Sequence, residues 1–402
     1  MNYLIRRTPI LSQKRFSNKA LELKKSTLKV ITILGTRPEI IRLSRVMALL
    51  DEFVNHIIVH TGQNYDYELN EVFFKDLELR RPDYFLSVNT ASVGTVLGET
   101  LIKTEEVLRK EKPDAVLILG DTNSSIACIM AKRLKIPIYH MEAGNRCFDL
   151  NVPEEINRRI IDHVADFNLV YTENARRHLL SEGLPHRKIY LTGSPLFEVI
   201  TYYKNSIQES KILQKLELKK KEYFLVSVHR EENVDNPQNL RKILDFLNKL
   251  SASYSKRIIV STHPRTRKRI ETLAIKELSN LVEFHKPFGF FDYVHLEINA
   301  SCTISDSGTI SEESAILNFP AVTIREATER PEALDTGTIT LTGLDSDILL
   351  DTIGLTIKEF DKKVFRNIPK EYEISNTSWR VVKLILGTAK LNSKWENLTH
   401  FS

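Results

Sequence analysis

Two short apolar segments near the middle of the chain, each followed at once by polar residues, most constrain the fold of this sequence. The first covers residues 115–119 and precedes Asp121, and the second covers residues 136–139 and precedes His140 and Glu142. Such segments are typical of buried strands, and strands joined by one helical crossover lie parallel. Both strands then end at the same sheet edge, where α/β proteins bind ligands. The pattern predicts a parallel sheet with titratable side chains gathered at one edge.

A further carboxylate, Glu154, follows on the next predicted helix, which Pro153 begins. Each of these residues also has an ordinary structural interpretation. Asp121 can be a turn or cap residue, Glu154 can complement the helix dipole, and His140 can be a packed strand-end histidine. Their convergence on one edge favours a functional site.

The composition indicates a two-domain globular protein. The chain has 402 residues, 42% hydrophobic and 27% charged, and this length suggests two domains of about 150 to 200 residues each. No apolar run approaches the roughly 20 residues that span a bilayer. The three cysteines, Cys128, Cys147 and Cys302, fit neither a disulfide framework nor a zinc site. We therefore expect a reducing, cytoplasmic setting, no membrane partner, no metal and no cofactor.

The formal net charge of +5 is concentrated at the N-terminus. Residues 1–29 contain eight Lys or Arg and one acidic residue, Glu22. The near-neutral remainder gives no reason to expect nucleic-acid binding. Residues 1–28 are predicted to be a disordered basic extension, with an organelle transit peptide as the alternative.

Strand-like and helix-like segments alternate along the chain, and the alternation restarts after residue 193. This pattern predicts two doubly wound, Rossmann-like α/β domains, at residues 29–192 and 193–374, that face each other across a cleft. Residues 375–402 are predicted to form a helix that returns across the domain junction. A mobile loop is expected over residues 86–98, before a helix that begins at Glu99.

The first strand, residues 29–34, leads through a glycine turn into a helix. The G-x-G-x-x-G fingerprint of NAD-binding domains is absent, so NAD binding is not supported. Arg37 lies at the N-terminus of this helix, where it can meet an anion or be a solvated surface residue.

Anion-binding groups are expected at the strand ends of the second domain. Ser307 and Gly308 lie in a small-residue turn where phosphate oxygens can approach backbone NH groups, with a plain helix cap as the alternative. Glu313 lies within reach of this turn and can accept both hydroxyls of a ribose, and Arg330 can supply a cation to a diphosphate. His229, at another strand end, is expected to face the carboxylates of the first domain.

Seven motifs resemble, in order and spacing, those of the non-hydrolysing UDP-N-acetylglucosamine 2-epimerases. They are GTRPE (35–39), GDT (120–122), HMEAG (140–144), PEEINRR (153–159), HREE (229–232), DSG followed by EE (306–308, 312–313) and TERPEA (328–333). The resemblance implies two Rossmann-like domains in the glycosyltransferase-B arrangement. It also implies inversion of C2 of a UDP-N-acetylhexosamine, through anti elimination of UDP to a glycal and re-addition.

The resemblance further implies residue roles and a homodimer. Asp121, Glu142 and Glu154 form the acid/base set, without an assignment of each to one face of C2, and His229 assists at the diphosphate. The implied substrate or UDP contacts are Arg37, Arg42, Gln63, Arg146, Phe288, Tyr293, Ser307, Gly308, Glu313 and Arg330. Three of them depart from the usual pattern: Arg42 stands where many members have lysine, and Phe288 and Tyr293 stand where others have glutamine and phenylalanine.

The segment between Glu142 and Glu154 bears on the identity of the sugar. EAGNRCFD running shortly into VPEEINRR resembles the capsule and O-antigen branch that makes UDP-N-acetyl-L-fucosamine, whereas members acting on UDP-N-acetylglucosamine have EAGLRT and a longer loop. A 6-deoxy-L-hexosamine nucleotide is therefore expected, with conversion of UDP-N-acetylglucosamine to UDP-N-acetylmannosamine as the alternative. Three competing functions are a glycosyltransferase of the same fold, a hydrolysing epimerase and a UDP-sugar sensor.

Overall fold

A computed structural model describes residues 25–62, 73–273, 278–364 and 367–396. Gln63 and residues 1–24 of the predicted extension lie outside these described residues. No helix within the described residues is long and apolar enough to cross a membrane.

Seven parallel strands form the first sheet, in the order β3-β2-β1-β4-β5-β6-β7. The strands are β1 (Lys29–Leu34), β2 (Asn55–His60), β3 (Tyr84–Phe85), β4 (Ala115–Leu119), β5 (Ile138–Ala143), β6 (Phe167–Val170) and β7 (Ile189–Leu191). The helices are α1 (Arg37–Phe53), α2 (Val93–Glu111), α3 (Cys128–Arg133), α4 (Pro153–Val164) and α5 (Glu173–Ser181), with 3₁₀ turns at Asn123–Ala127 and His186–Lys188.

The strands of this sheet are mainly apolar because both faces are covered by helices. In β1, Val30 and Leu34 pack into one hydrophobic core, while Ile31 and Ile33 pack into a second core on the opposite face. The strand order reverses at β1 and β4, which pair directly. The carboxyl ends of these two strands therefore border a crevice of the kind in which α/β proteins bind ligands.

Five parallel strands form the second sheet, in the order β10-β9-β8-β11-β12. The strands are β8 (Tyr223–Ser227), β9 (Arg257–Ser261), β10 (Val282–His285), β11 (Thr303–Ser305) and β12 (Ala321–Thr323). Three short helices connect the sheets: α6 (Leu196–Tyr202), α7 (Lys204–Gln208) and α8 (Ile212–Lys215). The helices that follow are α9 (Glu231–Val234), α10 (Pro237–Tyr254), α11 (Pro264–Thr272), α12 (Phe290–Asn299), α13 (Ile310–Leu317), α14 (Pro331–Asp335), α15 (Ser346–Asp361) and α16 (Thr377–Trp395), with a 3₁₀ turn at Lys370–Glu373.

The C-terminal helix α16 packs on the first domain although it follows the second in sequence. Its residues Val382, Ile385 and Ala389 belong to the core that also contains Met47 of α1, and the Tyr139 hydroxyl lies 2.6 Å from Thr388 Oγ1. The last helix of the chain thus belongs to the core of the first domain.

Three boundaries differ from the sequence prediction. The helix α2 begins at Val93, not at Glu99, because Ser92 caps it and accepts a hydrogen bond from Thr95 N at 3.1 Å. The strand β5 continues to Ala143. The predicted basic extension includes Leu28, yet Leu28 is 4% exposed and packs in the first core.

Candidate active site in the cleft between the domains

A buried carboxyl group, Glu39 of α1, joins the turns that follow β1 and β4. Its Oε2 accepts hydrogen bonds from Gly35 N at 3.0 Å and Thr36 N at 2.8 Å, and its Oε1 accepts one from Thr122 Oγ1 at 3.0 Å. Burial raises the pKa of Glu39 to about 7. A Cβ atom at Gly35 would lie 2.1 Å from Ser124 Oγ, so only glycine fits. Glu39 thereby fixes the turn that places Asp121.

Asp121 is held by the helix α4. Its Oδ2 lies 2.7 Å from both Nε and Nη2 of Arg158, and its backbone carbonyl accepts a hydrogen bond from Asn157 Nδ2 at 2.9 Å. Arg158 also contacts Glu155 of its own helix, at 3.1 Å. Arg158 belongs to the PEEINRR motif, but the sequence does not reveal its role, because its partner Asp121 comes 37 positions earlier in the chain.

Glu154, in the first turn of α4, has an environment that favours its protonated form. Burial raises the pKa of Glu154, and the nearby charge of Asp121 raises it further. Asp121 itself is ion-paired to Arg158. Two neighbouring carboxyl groups in unlike environments are the arrangement expected of an acid and a base.

Glu142 lies in a bulge of β5, where the register with β6 shifts between Met141 and Ala143. Its φ is +65°, a left-handed conformation that is uncommon for a residue with a side chain. Such outliers concentrate at functional sites. The bulge directs the carboxylate toward two arginines, Arg42 and Arg330.

Four charged side chains from both domains form what we term the cross-cleft cluster: Arg42, Glu142, Glu312 and Arg330. Arg42 contacts Glu142 and lies 2.9 Å from Glu312, and Arg330 lies 2.8 Å from Glu142 and 2.6 Å from Glu312. Burial would raise the pKa of Glu312, but Arg330 and Arg42 more than offset it and hold the pKa below its usual value. Ser194 donates a further hydrogen bond to Glu312. Each carboxylate therefore bridges both arginines.

His229 is presented to the cleft by a buried aspartate, Asp306. The carboxylate of Asp306 accepts hydrogen bonds from His229 N at 3.1 Å, Arg230 N at 3.0 Å and Asn233 Nδ2 at 3.0 Å. The Nδ1 atom of His229 lies 3.3 Å from Asp306 Oδ1, and the His229 side chain is 47% exposed. The loop after β8 is thus rigid at its base, while the imidazole is free to meet a ligand.

A cavity of about 350 Å³ opens between the domains, within the size range of small-molecule sites. It is lined by Arg37, Pro38, Ile41, Arg42, Phe73, Leu196, Ser227, His229, Ser261, His263, Pro287, Phe288, Phe290, Tyr293, Ser307, Thr309 and Glu313. Seven of these are predicted site residues: Arg37, Arg42, His229, Phe288, Tyr293, Ser307 and Glu313. Arg42 connects the cavity to Glu142, because it lines the former and contacts the latter.

Gly308 and Arg330 lie together beside this cavity. Arg330 Nε donates to the carbonyl of Gly308 at 2.8 Å. A Cβ atom at Gly308 would lie 2.4 Å from Glu329 Oε1, and Glu329 is buried in an ion pair with Arg325 at 2.7 Å. Glycine is therefore required here by the packing of that ion pair.

The structure places two residues of the predicted site region elsewhere. The Arg146 side chain is fully buried, with Nη1 2.7 Å from Asp162 and Nη2 2.6 Å from Glu182. His140 has Nδ1 2.9 Å from Asp162 and Nε2 2.9 Å from the carbonyl of Gly120. Arg146 and His140 thus brace the loop after β5 around Asp162, and neither is among the described residues that line the cavity.

Two Rossmann-like domains face each other, and carboxylates of the first domain meet arginines of both domains at the cleft. This arrangement defines an α/β enzyme of the glycosyltransferase-B architecture. A family model described as UDP-N-acetylglucosamine 2-epimerase matches residues 49–386. A UDP-N-acetylglucosamine 2-epimerase of Methanococcus maripaludis is 38% identical over 375 residues, which cover 90% of this chain and 99% of that protein. The chain belongs to the UDP-N-acetylglucosamine 2-epimerase family. The predicted family and enzyme class, an isomerase of the non-hydrolysing type, are confirmed.

Solved structures of similar proteins have the same fold. The UDP-N-acetylglucosamine 2-epimerase of Rickettsia bellii is 47% identical, with a TM-score of 0.86, and the match covers 92% of this chain and 99% of that one. The UDP-GlcNAc 2-epimerase of Methanocaldococcus jannaschii, solved in complex with UDP-GlcNAc and UDP, is 34% identical, with a TM-score of 0.83, and the match covers 90% of this chain and 100% of that one. The predicted fold class is thereby confirmed.

Proposed function

We propose that this protein inverts C2 of a UDP-N-acetylhexosamine by eliminating UDP across C1 and C2 and adding it back to the glycal. The observation that carries this proposal is the connection, through Arg42, between the nucleotide-sized cavity and the Glu142 carboxylate of the first domain. The solved complex of the Methanocaldococcus relative with UDP-GlcNAc and UDP supports the ligand class. A group transfer without deprotonation at C2 would not need the carboxyl groups of Asp121, Glu142 and Glu154 in the first domain.

Residues of the second domain, together with Arg37 of the first, supply the nucleotide contacts in this proposal. Ser307, His229 and Arg37 line the cavity and meet the diphosphate, while Glu313 accepts the ribose hydroxyls. Phe288 offers a ring to the base. When the bond between C1 and the diphosphate breaks, the leaving UDP gains negative charge, and preorganised cations in a dry cleft stabilise that charge.

The first domain supplies proton transfer. A carboxylate removes the proton from C2 as UDP departs from C1, which leaves a neutral glycal and UDP. In the return step UDP attacks C1 while a carboxylic acid protonates C2 on the opposite face. Asp121 and Glu154, with their unlike environments, and Glu142 in the cross-cleft cluster are the three groups available for these steps.

Incubation with UDP-N-acetylglucosamine in D2O tests the reaction class. We expect deuterium to enter C2 of the epimerised product, because the proton removed exchanges with solvent before re-addition. NMR of the sugar resonances follows both the exchange and the new configuration. Absence of deuterium together with acceptor-dependent UDP release would favour a glycosyltransferase, and release of free N-acetylmannosamine would favour a hydrolysing epimerase.

Replacing His229 by Ala is expected to weaken UDP binding by about 10- to 100-fold, the loss typical of a hydrogen bond to a charged group. Calorimetry with UDP measures this directly. His163→Ala, at an exposed histidine of α4, is the matched control and should bind UDP as the wild type does. If His229→Ala binds UDP as tightly as the control His163→Ala does, the nucleotide occupies another site.

For the sugar itself, we propose a 6-deoxy-L-hexosamine nucleotide, with UDP-N-acetyl-L-fucosamine as the product, destined for a surface polysaccharide. The short loop after β5 supports this, because its residue Asn145 donates a hydrogen bond to Glu142 Oε1 at 3.3 Å. A loop that contacts a catalytic candidate is placed to sense whether C6 bears a hydroxyl.

Comparing kcat/KM for each nucleotide sugar in separate NMR tubes tests this preference. We expect the 6-deoxy-L-hexosamine nucleotide to have the higher value. A higher kcat/KM for UDP-N-acetylglucosamine would contradict this preference and favour its conversion to UDP-N-acetylmannosamine as the activity.

A further inference from the structure

A buried glutamate in the first turn of α4, Glu155, joins the loop after β5 to its own helix. Its side chain is fully buried. Its Oε2 atom accepts hydrogen bonds from the backbone N–H of Cys147 at 3.1 Å, from the Cys147 thiol at 3.3 Å and from Arg158 Nη1 at 3.1 Å. Its Oε1 atom accepts one from Arg159 Nη2 at 3.3 Å. Glu155 therefore connects two segments of the chain that adjoin the predicted acid/base set.

These contacts favour the ionised form of Glu155. Burial would raise the pKa of Glu155, but the hydrogen bonds from Cys147 N and from Arg158 more than offset it and hold the pKa below its usual value. An ionised carboxylate can only accept hydrogen bonds, and each of these neighbours donates one. The charge and the acceptor oxygens of Glu155 are thus both used by the groups around it.

Arg158 carries the position of Glu155 to Asp121. Its three side-chain nitrogens are all engaged: Nε and Nη2 each lie 2.7 Å from Asp121 Oδ2, while Nη1 donates to Glu155 and lies 3.4 Å from the sulfur of Cys147. A guanidinium group is planar and rigid, so fixing one of its nitrogens fixes the direction of the other two. The orientation in which Arg158 meets Asp121 is therefore set by Glu155.

We propose that Glu155 is a positioning residue for proton transfer, because it holds Arg158 in the orientation that keeps the Asp121 carboxylate directed to C2 of the sugar. The inference rests on the proposed function, since it assigns a support to one of the proposed acid/base groups. Neither Glu155 nor Arg158 is among the described residues that line the cavity. The effect of Glu155 should then appear in the chemical step and not in UDP binding.

Two substitutions of Glu155 separate positioning from packing. Glu155→Gln keeps an acceptor oxygen for Arg158, whereas Glu155→Met fills a similar volume without one. We expect Glu155→Met to lower kcat about tenfold and Glu155→Gln by less than about threefold, because a small displacement of a reacting group is costly. The KM and the Kd for UDP should stay within about twofold of the wild type. A packing role predicts the reverse order, since Met avoids the cost of burying a charge.

A double-mutant cycle with Arg158→Lys shows whether Glu155 acts through Arg158. Lysine keeps the charge but lacks the fork that reaches Asp121 and Glu155 together. The loss of kcat caused by Glu155→Met should therefore disappear when Arg158 is already lysine. Two losses that multiply in the double variant would overturn the proposal. If Glu155→Met does not fold, Glu155→Asp takes its place, because its shorter side chain withdraws the carboxylate from Arg158.

Arg159→Gln is the matched control. Arg159 also contacts Glu155, but through the other carboxyl oxygen, and its side chain is 44% exposed. Removing it leaves the bridge from Glu155 to Asp121 intact, so kcat should equal that of the wild type. Steady-state kinetics with the nucleotide sugar of higher kcat/KM, UDP calorimetry and thermal denaturation are carried out on each variant. A loss of kcat in Arg159→Gln as large as that in Glu155→Met would contradict a role that depends on Arg158.

Failure of the inference and failure of the proposed function give different results. A folded Glu155→Met or Glu155→Asp variant with the kcat of the wild type would overturn the role of Glu155, while entry of deuterium at C2 by the wild type would leave the proposed function standing. Absence of turnover of every UDP-N-acetylhexosamine by the wild type would overturn the proposed function itself.

Discussion

Glu142→Gln and Asp121→Asn are each expected to lower kcat by at least about 10², the loss typical when a general acid or base is removed. Both side chains lie at the carboxyl ends of adjacent strands of the first sheet, one ion-paired to Arg158 and the other held between Arg42 and Arg330. An amide keeps the size of the carboxyl but can neither remove nor return a proton at C2.

Steady-state kinetics and UDP calorimetry on the same preparations measure this effect. The affinity for UDP should not weaken in either variant, because the proposed nucleotide contacts come from the cavity. Glu105→Gln, at an exposed carboxylate paired with Arg109 on α2, serves as a control and should retain full turnover. Turnover equal to that of the wild type in Glu142→Gln or Asp121→Asn would remove that residue from the mechanism.

Glu312→Ala is expected to lower the free energy of unfolding by about 3 to 5 kcal/mol, the cost typical of breaking a buried ion pair. Glu312 is fully buried and lies 2.9 Å from Arg42 and 2.6 Å from Arg330. Without it, the two buried guanidinium groups lose one of the two carboxylates that bridge them, and the Ser194 hydroxyl loses its acceptor. Urea denaturation of the wild type and the variant measures the difference.

The loss of unfolding free energy in Glu312→Ala is expected to be smaller at acidic pH. Because the arginines hold the pKa of Glu312 below its usual value despite burial, its stabilising contribution is present above the ordinary carboxyl pKa. That contribution is lost as the pH falls through the lowered value, so the difference between the wild type and Glu312→Ala should shrink in acid. Glu105→Ala, at the exposed pair on α2, should cost no more than about 0.5 kcal/mol. A comparably small loss in Glu312→Ala would show that the cross-cleft cluster does not stabilise the fold.

Local sequence pattern was sufficient to predict the architecture. Apolar runs such as residues 115–119, interrupted by polar turns and helical segments, predicted two parallel sheets, and the structure confirms both. The physical reason is that a strand buried on both faces is apolar along most of its length, and this signal needs no knowledge of distant residues. A boundary set by a single contact, such as the Ser92 cap at the start of α2, does not appear in the apolar pattern and was not predicted.

The sequence pattern was thus enough to predict which residues follow the strands, such as Asp121 after β4 and His229 after β8. The partners of these residues depend on the tertiary structure. Arg42 meets Glu312 across 270 positions of the chain, and Arg330 meets Glu142 across 188 positions, so no local spacing reports either contact. Arg146 is a second example. The resemblance implied that it contacts the substrate or UDP, yet its buried side chain is bound by Asp162 and Glu182. Strand periodicity is a property of neighbouring residues, whereas the pairing of buried charges depends on where folding brings distant segments together.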